Sequence, residues 1–243
     1  MDQISAIAAS GFRARMESLD LLANNLANSS TSGYKGDGEF YTVFSSEAAD
    51  SDVSGSPTAV PMVQRQYTDF APGLIETTNN PLDLAISGKG LFVVQGPTGP
   101  LYTRNGSFHL STGGTVGTAE GYPLLLQGGK ELKVDTTKPF EVSQDGTVRQ
   151  DGKVLGQLEL AEFKDRSGIV KQGFNYFLNV SEQPPEQATD AQVQQGKLEA
   201  SNVNAAHGAV RLVGVMRQFE VMQKAIAISN EMGRQAIEQV AKV

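Results

Sequence analysis

The residues best suited to acid-base chemistry are the two histidines of the sequence, His109 and His207. Histidine acts most often as the general base at neutral pH, and a serine hydrolase pairs it with a nucleophile and a carboxylate. The two histidines fall in different predicted elements, and no serine is singled out as a nucleophile. A hydrolase is kept only as an alternative, because His109 within "SFHL" is predicted to be a strand residue.

Two glycine-lysine segments, "SGKG" (87–90) and "GGKE" (128–131), raise the question of phosphate binding. A P-loop requires a glycine five positions before its Gly-Lys pair and a hydroxyl residue after it. Asp83 and Leu124 occupy the earlier position, and neither lysine is followed by Ser or Thr. Both segments are therefore predicted to be turns.

Metal binding finds equally little support. The sequence has no cysteine, which excludes disulfides and thiolate ligands. Its carboxylates show neither the spacing of a calcium loop nor that of an acid-base pair. The sequence therefore predicts no catalytic residue, no metal site and no cofactor.

The formal net charge of −7 argues against nucleic-acid binding, because phosphate contacts depend on clustered Lys and Arg, which this sequence lacks. No segment approaches the roughly 20 apolar residues that a membrane helix requires. The amino terminus also lacks the pattern of a cleaved secretory signal. We therefore expect no nucleic-acid partner, no membrane insertion, and either a cytoplasmic location or export by another route.

Both ends of the chain are predicted to be long helices. Apolar spacing predicts one helix over about 3–28 and a second over about 203–241, the latter roughly 57 Å long at 1.5 Å per residue. Several apolar residues recur at the alternating spacing of a coiled coil and form the predicted helical packing interface: Phe12, Leu19, Leu22, Leu212, Val215, Phe219, Met222 and Ile226. A helical pair of this length has little core of its own, which favours self-assembly.

Between the helices the apolar period changes to that of β-strands. The predicted strands are 91–95, 101–104, 107–110, 140–143, 147–150, 153–163 and 174–180. Asn105-Gly106, Asp145-Gly146 and Asp151-Gly152 stand between them as signals for two-residue hairpins, because Asn, Asp and Gly adopt positive φ readily. The middle of the chain is therefore predicted to be an antiparallel β domain.

Two polar, proline-containing stretches, 45–61 and 181–192, are typical of linkers. The predicted fold class is α+β, in which long N- and C-terminal α-helices form an axial, coiled-coil-like domain and an all-β domain is inserted between them. The predicted boundaries are 1–33 with 203–243 for the helical domain, 34–80 with 181–202 for an extended linker region, and 81–180 for the β domain.

Three motifs carry a resemblance to a known family. The stretch "NNLANSSTSGYK" (24–35) resembles the asparagine-rich signature of the flagellar axial proteins, the rod and hook subunits of the bacterial flagellum. The segments "PLDLAISGKGLFVV" (81–94) and "LYTRNGSFHLSTGGTV" (101–116) are similar to the family's β-domain signature. The stretch "LEASNVNAAHGAVRLVGVMRQFEVMQKAI" (198–226) resembles its carboxy-terminal helix, and the motifs occur in the family's order.

The resemblance implies a structural protein without catalysis. Family members are exported unfolded by the flagellar type III apparatus, without a cleaved signal peptide, and polymerise helically. The implied partners are further copies of the chain, other rod and axial proteins, the export apparatus and the surrounding ring proteins. The implied location is the basal-body rod in the periplasmic space. The alternative from another class is a secreted oligomeric β-rich binding or adhesion protein.

The first motif is predicted to be an assembly motif, formed by Asn24, Asn25, Leu26, Asn28, Gly33, Tyr34 and Lys35. Asparagine side chains bond local backbone groups, and these asparagines would cap and cross-link helix ends. Gly33 would supply a flexible conformation where the chain leaves the helices, and Tyr34 and Lys35 would begin the path outward. The alternative is an ordinary polar loop.

Overall fold

The computed structural model describes residues 2–45, 59–173, 175–181 and 183–240. The chain divides into two units: a helical unit from the described residues of 1–28, 36–69 and 203–243, and a β unit from those of 29–35 and 70–202. The predicted α+β class, with a helix near each end and a large antiparallel β domain, is confirmed. No described helix is both long and apolar enough to cross a membrane.

The helical unit contains α1 (Asp2–Ala27), β1 (Asp37–Ser45), β2 (Ala59–Thr68) and α2 (Ala205–Val240). Both helices nearly coincide with their predicted ranges. Asn204 caps the start of α2, because its Oδ1 accepts a hydrogen bond from the His207 amide at 3.0 Å. At the end of α1, Asn28 donates to the Asn24 carbonyl from both its backbone amide, at 3.1 Å, and its side-chain Nδ2, at 2.9 Å.

The two faces of α1 have different neighbours. Half-buried Phe12 meets the Phe219 ring of α2 edge to face, with ring centroids 4.8 Å apart, and Leu26 lies against Gly208. These contacts make the two helices antiparallel. Among residues 11–27 of α1, the most buried are nevertheless Ala14, Ser18, Leu21, Leu22 and Asn25, and Ser18 and Asn25 bond to β1. The deepest burial of α1 therefore does not follow the predicted row of Phe12, Leu19 and Leu26.

The strands β1 and β2 form an antiparallel hairpin that runs from the pair Asp37–Thr68 to the pair Ser45–Ala59. Glu39 of β1 accepts a hydrogen bond from Ser18 Oγ of α1 at 2.8 Å and lies 3.7 Å from a guanidinium nitrogen of Arg211 of α2. One carboxylate thus connects three elements of the helical unit.

The hairpin lies within residues 34–80, for which the sequence predicted an extended linker. Most of the stretch 45–61 lies outside the described residues, but both of its flanks are strands. The segment "EFYTVF" (39–44) is rich in aromatic and β-branched residues, which favour strands. Residues 181–202 likewise contain strands, at 186–187, 192–195 and 197–199.

The strands of the β unit are β3 (Ile75–Thr77), β4 (Leu84–Ser87), β5 (Leu91–Gly96), β6 (Gly99–Thr103), β7 (His109–Leu110), β8 (Val116–Gly117), β9 (Leu125–Leu126), β10 (Lys130–Glu131), β11 (Phe140–Val142), β12 (Thr147–Gln150), β13 (Lys153–Gln157), β14 (Leu160–Glu162), β15 (Ile169–Lys171), β16 (Tyr176–Asn179), β17 (Glu186–Gln187), β18 (Gln192–Gln195) and β19 (Lys197–Glu199). Six form an antiparallel sheet in the order β15-β16-β6-β5-β14-β17, and β11-β12-β13 form a second sheet. The pairs β3–β19, β4–β18, β7–β8 and β9–β10 complete the pattern.

The core of the β unit lies on both faces of β5. Phe92 and Val94 belong to a large apolar cluster with Phe108, while Leu91 and Val93 belong to a second cluster. A strand buried on both faces needs a continuous apolar run, which explains the sequence "LFVV".

The three predicted hairpin turns have three outcomes. Asp151-Gly152 joins β12 to β13 as a two-residue turn in which both residues have positive φ (54° and 75°), as predicted. Asp145-Gly146 also joins paired strands, but the turn is longer, because Ser143 bonds to Thr147. The prediction at Asn105-Gly106 is wrong, since β6 pairs with β5 and β16.

Gly106 instead permits a close backbone approach. Its carbonyl accepts a hydrogen bond from the Leu84 amide at 3.0 Å, and a Cβ at this position would lie 1.6 Å from the Leu84 oxygen. The glycine is required for packing against β4 and not for a hairpin.

Candidate functional site

The end of the first motif enters the β unit as a buried segment. Gly33, Tyr34 and Lys35 are all buried. Gly33 has a φ of 68°, and its amide donates to the Glu199 carbonyl at 2.6 Å. The Tyr34 ring lies 4.3 Å below the ammonium group of Lys171, which also donates to the Lys35 carbonyl. The segment is therefore held from several sides.

A buried ion pair joins this segment to the last strand of the β unit. Lys35 Nζ lies 2.6 Å from Glu199 Oε1, and the two side chains are 0% and 1% exposed. Lys35 also donates to the Ala71 carbonyl at 2.8 Å. The Gly73 amide donates to the same carboxylate oxygen at 2.8 Å. An ion pair stripped of water in this way depends on such additional hydrogen bonds.

The second carboxylate oxygen faces another buried cation. Arg104 Nε lies 3.4 Å from Glu199 Oε2, and the guanidinium donates to the Ile86 and Gly88 carbonyls at 3.0 and 2.5 Å. The buried Oε2 of Glu199 accepts no hydrogen bond from the described residues. Two cations thus surround one carboxylate, and we call Lys35, Arg104 and Glu199 the charge cluster.

The charge cluster holds two cations and only one carboxylate. Burial lowers the pKa of Arg104, the Glu199 carboxylate raises it, and the nearby Arg166 lowers it further, with a net lowering. The guanidinium stays charged at neutral pH because its ordinary pKa is so high. Removal of the carboxylate would leave two buried cations, whereas removal of Lys35 would leave one matched pair.

Three sequence motifs meet in the charge cluster. Lys35 ends "NNLANSSTSGYK", Arg104 lies in "LYTRNG", and Glu199 lies in "LEASNV". Sequence reasoning named Lys35 but missed Arg104 and Glu199. Their positions inside the family-like motifs were the available signal, because an ion pair between residues 164 positions apart has no local pattern.

The remaining residues of the predicted assembly motif lie in the helical unit. Asn25 is buried and binds the backbone of Asp37 through both its amide nitrogen and oxygen, at 2.7 and 2.9 Å. Asn24 and Asn28 bond to each other at the end of α1. Leu26 is half-buried against Gly208. The structure therefore separates the motif into a helix-end part and a β-unit part.

The predicted helical packing residues are buried or half-buried, and some of them contact the other helix. The residues of α2, namely Leu212, Val215, Phe219, Met222 and Ile226, are all half-buried. Met222 Sδ lies against Gly11, and Phe219 against Phe12. In α1, Leu19 is half-buried and Leu22 is buried.

The two histidines considered for catalysis lie in different units. His109 lies in β7 of the β unit, and His207 in the first turn of α2 of the helical unit. The described residues contain no group of three or more His, Asp and Glu placed to hold a metal ion. The polar groups of the charge cluster bond to the protein itself, so the buried charges connect the chain's own segments.

Comparison with known proteins identifies the family. Three family models match: "Flagella basal body rod protein" at residues 6–35, "Flagellar hook protein FlgE/F/G D1 domain" at 85–154, and "Flagellar basal body rod FlgEFG protein C-terminal" at 194–239. The flagellar basal-body rod protein FlgF of Caulobacter vibrioides is 34% identical over 226 residues, which cover 93% of this chain and 92% of the relative.

Other relatives are also flagellar basal-body rod proteins. FlgF of Mesorhizobium japonicum is 30% identical over 88% of each chain, and FlgG of Buchnera aphidicola is 28% identical over 93% of this chain and 95% of the relative. The chain therefore belongs to the flagellar basal-body rod protein family, of the F or G type, and is a structural rod subunit. The alternative of a secreted binding or adhesion protein is not supported.

Proposed function

We propose that this rod subunit acts without catalysis and assembles helically, with copies of itself and with other rod proteins, through its two long helices. The observation that carries the proposal is the exposed apolar surface of α2. Large apolar side chains there are 48% to 72% exposed: Val210, Val213, Met216, Val221, Ile228 and Met232. Clusters of exposed apolar side chains are unfavourable in water and typical of surfaces that a partner covers.

The packing of α1 on α2 is proposed to be of coiled-coil type. Apart from Gly214, the half-buried residues of α2 from Gly208 to Ile226 alternate at spacings of four and three. Contacts at Leu26–Gly208 and Phe12–Phe219 support an antiparallel pair along this row. The pair would form the axial element of the subunit. Non-closing contacts between such elements propagate as a helix.

The first motif is proposed to serve assembly indirectly, by holding the subunit's own segments in place. Asn25 fixes the start of β1, and Asn28 caps α1 through the Asn24 carbonyl. Gly33, Tyr34 and Lys35 close the β unit around Glu199. These bonds support an internal role for the motif, in place of direct cross-links between subunits.

Export and location follow the family resemblance. We propose export by the flagellar type III apparatus without cleavage of a signal peptide, and a final position in the rod within the periplasmic space. The relatives, which are all named as basal-body rod proteins, support the rod location. The surrounding ring proteins are proposed as further neighbours. Detection of the uncleaved chain outside the cytoplasm, dependent on a working export apparatus, would test the route.

Within the rod we propose the proximal position. The stretch "MRQFEVMQKAI" (216–226) is most similar to the proximal-rod protein F, with the distal-rod protein G next. The 34% identity to a FlgF protein supports this choice. A strain that lacks the chain should then fail before distal-rod subunits are added, and distal-rod protein in isolated basal bodies of that strain would contradict the position.

Charge substitutions on α2 test the proposed assembly surface. Val221→Glu and Ile228→Glu place a charge on the exposed apolar surface, and Gln223→Glu adds the same charge at an exposed polar position of the same helix. In a host whose rod depends on this chain, the first two variants should be exported and folded but give no rod and no motility. The control should remain motile. Normal motility of the first two variants would refute the proposal.

A further inference from the structure

The chain crosses between the two units at four places, 28/29, 35/36, 69/70 and 202/203. On the β-unit side, these crossings border three segments, 29–35, 70–74 and 199–202, which we call the passage segments. All three contact the charge cluster or contribute to it. The cluster itself lies wholly within the β unit.

Hydrogen bonds tie each passage segment to the others. Glu199 binds the first segment through Lys35 Nζ at 2.6 Å and through its own carbonyl, which accepts from Gly33. Its carboxylate binds the second segment at the Gly73 amide, 2.8 Å away. The Asn202 side chain donates to the Ala71 carbonyl at 3.2 Å, and the Asn202 amide donates to the Tyr34 carbonyl at 3.3 Å.

Two of the passage segments also lie closer together than a side chain would permit, since a Cβ on Gly73 would lie 2.0 Å from the Ala200 oxygen. The Ala200 amide donates to the Leu74 carbonyl at 2.7 Å. Segments that share buried charges and direct backbone contact lose their partners together when one of them leaves.

We propose that Glu199 is the central residue of a clamp that makes the three passage segments open and close as one cooperative unit. Opening 29–35 or 199–202 would separate Lys35 from Glu199, and opening 70–74 would remove the Ala71 and Gly73 hydrogen bonds from this buried pair, which penalises partial opening. The passage segments would therefore be as ordered as the β core, and would not act as flexible hinges. This inference concerns the free subunit and does not depend on the proposed assembly.

Residue-resolved amide hydrogen exchange on the full-length chain tests the clamp. In the unmodified protein, the amides of Gly33, Gly73 and Ala200 should exchange with similar protection. In Glu199→Gln all three should exchange about 100-fold faster, because two cations lose their buried counter-charge. The amides of Val93 and Gln95 in β5 should lose less protection than the three passage amides. Glu186→Gln, which alters an exposed carboxylate paired with Lys164, is the matched control and should change none of them.

The contrary result is equally specific. Faster exchange confined to Gly73, whose acceptor is the altered side chain, would overturn the clamp, as would dissimilar protection of the three amides in the unmodified chain. If Glu199→Gln accelerates Val93 and Gln95 as much as the passage amides, Lys35→Met decides, since it leaves Arg104 opposite Glu199. Lys35→Met should accelerate the passage amides more than those of β5, and equal acceleration in β5 would refute the proposal.

Discussion

The side-chain amide of Asn25 makes both hydrogen bonds that a neighbouring strand would make to Asp37. Asn25 Nδ2 donates to the Asp37 carbonyl at 2.7 Å, and Asn25 Oδ1 accepts from the Asp37 amide at 2.9 Å. A helix residue thereby fixes the first residue of β1. Substitution of this one buried side chain therefore tests how the hairpin is attached to α1.

Replacement of Asn25 should detach the start of β1. Asn25→Ala removes two hydrogen bonds to the backbone of Asp37, and we expect a loss of about 1–3 kcal/mol in the free energy of unfolding. Asn24→Ala, at an exposed position one residue earlier, is the control and should cost much less. Chemical denaturation of both variants measures the difference, and equal losses would contradict the assigned role of Asn25.

Substitutions in the charge cluster should lower the free energy of unfolding by different amounts. Glu199→Gln strands two buried cations and should destabilise the subunit by about 3–5 kcal/mol, whereas Lys35→Met leaves a matched pair and should cost less. Glu186→Gln, at an ion pair exposed by 59% and 79%, should change stability by less than about 1 kcal/mol. Denaturant unfolding of the three variants gives the order. A greater loss for Lys35→Met would argue against the uneven charge balance.

Gly33 should tolerate no side chain. Its φ of 68° disfavours other residues by about 1–2 kcal/mol, and a Cβ would also lie 2.3 Å from the Asn105 nitrogen. Gly128→Ala is a matched control, because Gly128 has a φ of 86° but no atom within 4 Å of the added carbon. Thermal unfolding should show a much larger loss for Gly33→Ala than for Gly128→Ala. Similar losses would mean that conformational strain alone decides.

Acid should weaken the contact between Tyr176 and Glu120. Burial raises the pKa of Glu120, but hydrogen bonds from Tyr176, the backbone and Thr118, with a smaller effect of His109, lower it to below its ordinary 4.5. A carboxylate with a lowered folded-state pKa stabilises the protein above its unfolded pKa, and this stabilisation is lost as the pH falls through the folded value.

Tyr176→Phe should accordingly lose stability at neutral pH and show a smaller further loss below pH 4.5 than the unmodified chain. Tyr122→Phe removes the hydroxyl of the ring that packs against Tyr176 and serves as the control. Unfolding curves measured across the acid range compare them. An unchanged acid dependence in Tyr176→Phe would show that this hydrogen bond does not lower the pKa of Glu120.

The elements that sequence predicted best are those with a long, regular period. Over many turns, apolar residues at helical spacing leave few alternatives, so the bounds of α1 and α2 were close to those observed. The turn at Asp151-Gly152 was equally predictable, because its two positive φ angles have a local chemical cause. The β1–β2 hairpin was missed because the polar stretch 45–61 outweighed the strand signal in "EFYTVF".

The charge cluster could not be derived from residue types. Lysine and glutamate are rarely buried, so Lys35 and Glu199 are expected on the surface unless their pairing is known. Their pairing depends on β19 returning to the amino-terminal segment, which is a consequence of the whole topology. The resemblance to a family identified the motifs that contain these residues, but it did not indicate that they touch.

The most direct test is electron cryo-microscopy of basal bodies isolated from an organism that encodes this chain. We expect the subunit to lie in the rod with α1 and α2 in its axial part, and neighbouring subunits to cover Val221 and Ile228 of α2. A rod in which these side chains face solvent, or in which the chain is absent, would contradict assembly of the subunit into the rod through its helices.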